Sequence, residues 1–300
     1  MGSIKWNGLY IGLVLLVVMG CPLNGAAQGV FQREYKIGEC YKYRLVTEEF
    51  HNGKWKSTTI VVNELEVVTD SMGVPHDKVQ WVSKEVLTEK DTIKSVTEAA
   101  AVAPYLLSLH PKGKIEIPKI NVQGMTGAIQ DFATFYVAVS PHLGVPALQR
   151  QGDSLIRKEL VQGNFANGIN IIKGDDCFAV KVYLNELTND RALLITAFEP
   201  PKEKHLSYLL DEMNVPVVKD TMNNFQMVLA LVNGRYNVQY GKEAFVITSS
   251  VKREDGKIER AEMINQLDLK LKVACTAVYE DCQMEMPFVI IRKLTLQVLQ

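Results

Sequence analysis

The 300-residue chain lacks most features that announce a chemistry. It has no basic excess: 33 Lys and Arg face 34 Asp and Glu, for a net charge of -1. A nucleic-acid binder concentrates positive charge, so that class is excluded. Histidine is scarce, with only His51, His76, His110, His142 and His205. The C-terminal stretch after His205 therefore lacks the commonest general base and metal ligand. No Gly-x-Ser-x-Gly elbow, Walker-type phosphate loop, Gly-x-Gly-x-x-Gly fingerprint, His-Glu-x-x-His or paired Cys-x-x-Cys spacing occurs. The enzymes and zinc sites those motifs mark have no support, and neither a catalytic residue, a metal nor a cofactor is expected. No internal repeat and no Pro/Ser/Gly-rich linker divides the chain. With 47% hydrophobic and 22% charged residues, the composition is that of a globular chain and excludes a disordered or multi-span membrane protein.

An apolar stretch long enough to span a bilayer is also missing. The run from Leu9 to Met19 follows Lys5 and is 11 residues long, against the roughly 17–25 that a spanning helix needs. That is the size of a signal-peptide core, so export is expected. Two processing sites compete after it. Gly25-Ala26-Ala27 offers small-residue cleavage before Gln28, behind the helix-breaking Pro22. Val18-Met19-Gly20-Cys21 instead resembles a bacterial lipobox, which would make Cys21 a lipidated N-terminus. The expected organisation is thus a signal peptide over 1–27, or 1–20 for a lipoprotein, and one β-rich domain over 28–300. Either processing leaves four cysteines, Cys40, Cys177, Cys275 and Cys282, an even number in a disulfide-permissive compartment.

What is present is mostly strand. Segments 38–50, 57–70 and 78–86 are rich in β-branched and aromatic residues and are joined by polar turns, Asn52-Gly53 and Ser71-Met72-Gly73. They predict an antiparallel meander, with Tyr41, Tyr43 and Leu45 on one face. The middle changes period. Ser95-Val-Thr-Glu98 is a capping signal ahead of a short Ala-rich helix. Residues 126–140 place Ile129, Phe132, Tyr136 and Val139 at helical steps before Pro141. A further helix is predicted at 202–213, with strands near 154–161, 168–173, 177–187 and 192–198.

The last third predicts long hairpins. Turning at Asn233-Gly234 would oppose Leu231 to Tyr236, Leu229 to Val238 and Met227 to Tyr240. A second turn falls at Asp255-Gly256. In the closing hairpin the odd positions from Leu267 to Cys275 and the even positions from Cys282 to Ile290 are apolar. Opposing Cys275 to Cys282 pairs Val273 with Met284, Leu271 with Met286, Leu269 with Phe288 and Leu267 with Ile290, and a one-residue slip would turn one strand's set to solvent. Directly opposed positions bring Cβ atoms near disulfide range, so a Cys275–Cys282 bond is expected. Cys40 and Cys177 would pair only by elimination.

Gly152-Asp153-Ser154-Leu155 spells the block that names the GDSL-type hydrolases and would make Ser154 a nucleophile. That family draws its base from a late Asp-x-x-His, and no histidine here has Asp three residues before it. The block reads as a coincidence. Asp175-Asp176 and Lys202-Glu203-Lys204 read as solvated charges, and Phe132, Phe135 and Tyr136 as core.

The early Gly38-x-x-Tyr41-x-Tyr43 strand, the Asp255-Gly256-Lys257-Ile258 hairpin and Asn265-Gln-Leu-Asp-Leu-Lys-Leu carry a resemblance. The chain resembles exported β-rich proteins of Bacteroidota and, more remotely, the LolA-type lipoprotein carriers. The resemblance implies an α+β fold: a large curved antiparallel sheet of long hairpins, with two or three helices inserted mid-chain and packed on one face. It also implies a non-enzymatic periplasmic or outer-membrane-associated protein that binds an apolar ligand, lipid or lipoprotein. An envelope interaction or assembly module is the other reading. Contact with a membrane would come only through an anchor at Cys21. The sequence alone does not separate a filled core from a pocket.

Overall fold

A computed structural model describes residues 32–113, 115, 122–157, 164–165, 169–170, 180–199, 218, 225–231 and 233–299. The predicted meander forms as β1 (Cys40–His51), β2 (Lys54–Thr69) and β3 (Pro75–Thr88). Its first turn places Asn52 and Gly53 at φ 47° and 79°, the left-handed pair that a two-residue hairpin demands. Two short strands, β4 (Thr92–Lys94) and β5 (Tyr105–Leu107), both pair with β3. Between them Ser95 caps α1 (Val96–Ala100), its side chain accepting the Glu98 N–H at 3.2 Å. The Glu98 carboxylate does not complete the capping box. It takes the Lys84 ammonium at 2.8 Å instead.

The predicted long helix is α2 (Thr126–Ala138), followed by 3-10 turns at Pro141–Leu143 and Val145–Ala147. Then come β6 (Ser154–Arg157), the isolated pair β7 (Asn164–Phe165) and β8 (Ile169–Asn170), β9 (Val180–Leu187) and β10 (Arg191–Phe198). Strands β11 (Phe225–Ala230), β12 (Tyr236–Lys252), β13 (Ile258–Cys275) and β14 (Met284–Leu299) complete the order. Twelve strands share one open, curved antiparallel sheet, ordered β4-β3-β2-β1-β14-β13-β12-β10-β9-β6, with β5 beside β3 and β11 beside β12. The last strand lies against the first, from Lys42 opposite Leu299 to His51 opposite Ile290. The helix expected at 202–213, the processing sites, Cys21 and Cys177 lie outside the described residues.

The closing hairpin has the register that its two apolar alternations require, from Leu267 opposite Ile290 to Val273 opposite Met284. Cys275 and Cys282 are joined as a disulfide, their Cα atoms 4.0 Å apart, while Cys40 is an exposed thiol.

The β11–β12 hairpin at Asn233-Gly234 corrects the expectation by one residue. Ala230 opposes Tyr236, Val228 opposes Val238 and Gln226 opposes Tyr240. The loop carries an extra residue and closes through the Leu231 N–H on the Arg235 carbonyl at 2.7 Å, with Gly234 left-handed at φ 72°. Such glycine-closed loops rival the two-residue turn wherever the strands gain from the shift. Here Val228 packs with Val238 and Tyr240 on one face. Alternation then sends Phe225, Met227 and Leu229 to the other face, which is the face that α2 covers.

Phe132 is the centre of the core. Its ring lies 5.7 Å from Tyr43, 5.8 Å from Trp81 and 5.2 Å from Tyr136, and all four are fully buried. The segment before β1 is held by buried Arg33, 3.7 Å from the Asp77 carboxylate. Tyr41 and Tyr136 donate to the same carboxylate at 2.7 and 3.3 Å. At Gly256 (φ 69°) a Cβ would stand 2.6 Å from the Arg33 Cα, so the Asp255-Gly256 turn and this segment fit only with glycine there. Truncating Phe132 to Ala should remove about 3–5 kcal/mol of stability, the range for a large aromatic leaving a cavity. Urea unfolding of the variant beside the wild type measures it.

Candidate functional site

Strands β1, β12, β13 and β14 turn apolar side chains toward α2 along most of their length, among them Leu45, Ile247, Met263 and Leu294. One rung breaks that rule. Glu49 opposes Arg292, Arg292 opposes Asn265, and Asn265 opposes Phe245. Phe245 in turn opposes Phe198, and Phe198 opposes Val180. Across neighbouring strands the inward side chains therefore change from charged to aromatic to aliphatic.

Helix α2 lies over this rung and leaves a cavity of about 460 Å³ between helix and sheet. Its apolar wall is built by Val137 and Leu143 above and by Phe225, Phe245, Ile247, Met263, Leu267 and Ile290 below. Its polar end gathers Glu49, Asp131, Glu243, Asn265 and Arg292. Arg292 donates to the Asp131 carboxylate (Oδ2), which joins β14 to the helix. Asn265 Nδ2 donates to Glu243 Oε1 at 2.8 Å. Asn265 is only 2% exposed, and its Oδ1 accepts no hydrogen bond among the described residues. At the far side the Thr196 hydroxyl donates to the Ala138 carbonyl at 3.1 Å and fixes the helix end on β10.

Burial sets the electrostatics. It pushes the Asp131 carboxyl above the usual aspartate range, with Arg292 pulling it back. Glu243 is likewise raised by burial, against the Asn265 hydrogen bond and Arg292. Burial works against the charge of Arg292, yet Asp131 and then Glu49 and Glu243 hold its proton more tightly than usual. The cluster thus combines one cation with three carboxylates in a partly dry site, where unpaired charge is costly.

Other candidates, His51 excepted, stay apart from this cavity. Ser154 is exposed at the start of edge strand β6. The Asp153 carboxylate before it accepts the Gln149 and Arg150 backbone N–H groups at 2.8 Å each, so the Gly-Asp-Ser-Leu block is a turn. His51 contacts Glu49, His76 meets the Val74 carbonyl and His110 accepts from the Lys112 N–H. Phe132, Phe135 and Tyr136 are fully buried and do not line the cavity. Asp175, Asp176 and the 202–204 run lie outside the described residues. A recess of about 790 Å³ between the β9–β10 turn and the β12–β13 hairpin is charged and faces water. Among the described residues no three His, Cys, Asp or Glu side chains are grouped to hold a metal ion. No helix among them is long and apolar enough to cross a membrane.

The sequence reading missed the polar cluster. Its signal was present: Asn265 and Arg292 continue the two inward alternations of the closing hairpin by one more step, where an apolar residue is due.

No protein-family model matches the chain, and no curated protein matches it. Among solved structures it is similar to one of lipid–protein interactions in lipovitellin, with TM-score 0.39 and 11% identity over 89% of this chain and 26% of that one. The chain thus spans about a quarter of that protein's length. A LolA superfamily protein from Nitrosomonas europaea is matched over 91% of both chains at TM-score 0.15 and 5% identity. Neither likeness carries an argument at such scores, and the resemblance to Bacteroidota proteins has no matching family behind it.

A raised carboxyl keeps its proton in the folded protein at pH values where the unfolded chain has lost it, so stability falls as pH rises from the ordinary glutamate value of 4.5 toward the folded one. Glu243→Gln retains an oxygen for Asn265 and has no proton to lose. The variant should be more stable than the wild type at neutral pH, with the difference vanishing on acidification below 4.5. Thermal unfolding across that pH range checks the sign.

Proposed function

We propose that this is a non-enzymatic cell-envelope protein that binds an apolar ligand, such as a lipid chain, between α2 and the late strands. One observation carries the reading: a cavity of about 460 Å³ with an apolar wall and a few convergent polar groups at one end. Ligand sites typically have this form and a volume of about 300–1,000 Å³. The apolar run Leu9–Met19, of signal-peptide length, and the Val18–Cys21 sequence, which resembles a lipobox, support an envelope location, soluble after cleavage before Gln28 or anchored through Cys21.

The alternative is an envelope interaction or assembly module. It is favoured by Met227 and Leu229 on β11, which are 51% and 62% exposed, since neighbouring exposed apolar side chains mark contact surfaces. Met227 also lines the cavity, so that side chain equally serves as its rim.

Thr134 on α2 is half-buried and lines the cavity. Protein purified from its own envelope should show, by native mass spectrometry, a lipid-sized increment above the chain mass. Thr134→Trp, which fills the cavity, should lose that increment while unfolding at a similar temperature. A bare wild-type mass would refute the binding reading and favour the interaction module.

A further inference from the structure

The polar end of the cavity is selective in sign. Resting on the apolar-ligand reading above, we infer that the ligand is a single-chain amphiphile with a primary-amine head, bound as its ammonium, and not a fatty-acid or phosphate anion. Three observations lead there. The first is the charge count: the lining holds one guanidinium, Arg292, and three carboxylates, Glu49, Asp131 and Glu243. Setting Glu49 against the His51 ring that contacts it and Asp131 against Arg292 still leaves the net charge negative through Glu243. An anionic head would add like charge inside a poorly solvated space, which is disfavoured.

The second is that the cation is engaged. Arg292 hydrogen-bonds the helix carboxylate of Asp131. An anion would have to compete with Asp131 for the guanidinium and leave that carboxylate buried beside it. The third is Asn265, which lines the cavity and whose buried Oδ1 has no donor among the described residues. A buried acceptor left unmatched is costly, and a ligand N–H would satisfy it. An ammonium presents three N–H donors and no acceptor. It can serve Asn265 Oδ1 with Glu243, which Asn265 hydrogen-bonds, and Glu49, beyond Arg292 on the rung, as the nearby carboxylates, while its chain follows the gradient toward Phe245 and Met263. A neutral hydroxyl head has one donor and gains nothing from the charge.

The test uses the full protein and three probes of equal chain length: dodecylamine, dodecanol and dodecanoate, each below its aggregation concentration, measured by titration calorimetry. Dodecylamine should bind at least about tenfold more tightly than dodecanoate, the scale on which one neighbouring opposite charge biases an equilibrium. Dodecanol should fall between them. Glu49→Gln and Glu243→Gln should each shrink the amine-over-carboxylate ratio severalfold, and Thr134→Trp should abolish binding of all three. Equal affinities, or a preference for dodecanoate, would overturn the amine assignment and leave the apolar-ligand reading standing. An amine preference unchanged in both glutamine variants would also overturn it. Failure of all three probes to bind would overturn both.

Discussion

Strands of up to 18 residues, at ~3.4 Å each, give a sheet face ~60 Å long, whereas the 13 residues of α2, at ~1.5 Å each, cover ~20 Å of it. That mismatch governs the interior. Directly under the helix the inward residues form one continuous core around Phe132, Trp81 and Tyr43. Farther along the same face they form a smaller cluster, Leu267, Leu269 and Ile290 with Phe225 and Phe288. The cavity lies where the first gives way to the second: Ile247 and Met263 belong to the main core, and Leu267 and Ile290 to the smaller cluster. It follows from a long sheet meeting a short helix.

The helix is then placed by buried charge. Tyr136 reaches the Asp77 carboxylate that also faces Arg33, and Asp131 takes the Arg292 guanidinium. Buried pairs of this kind contribute little net stability, because desolvation offsets most of the attraction, yet losing one partner is severe. Their effect is on position. A helix held only by Ile129, Phe132 and Tyr136 could slide or roll over an aliphatic face at small cost. With Asp131 tied to β14 and Tyr136 tied to β3, one rotation satisfies both groups. The same rotation presents Thr134 and Val137 to the cavity.

Much of this was legible from residue order. The closing hairpin was readable because two apolar alternations and two cysteines admit one register, and α2 because its apolar steps end at a proline. The Asn233-Gly234 hairpin was not. A two-residue turn and a glycine-closed loop one residue longer have the same local sequence, and the choice lay with Val228 packing on Val238 and Tyr240, contacts that the turn itself does not encode. The polar rung was hidden differently. Its members sit at 49, 131, 243, 265 and 292, on five elements, and only the strand order β1-β14-β13-β12 and the helix above them bring them together. No spacing motif exists for such a set.

Aliphatic alternation by itself describes a filled core and an open pocket equally well. The interruptions separate the two. A core under selection for stability alone would exchange Glu243, Asn265 and the whole Arg292–Asp131 pair for apolar residues, because joint apolar replacement of buried polar and ionic groups is often neutral or stabilising. Here Asn265 and Arg292 face each other, Glu243 is hydrogen-bonded to Asn265 from β12 and a helix aspartate pairs with Arg292, at one end of a space whose other end is aromatic and aliphatic. Local rules broken together at one place, while the rest of the sheet obeys them, mark a site where function outweighs stability. The position of the break, at the boundary between two apolar clusters, gives a bound molecule both a wall to bury its chain against and a polar end to fix its direction.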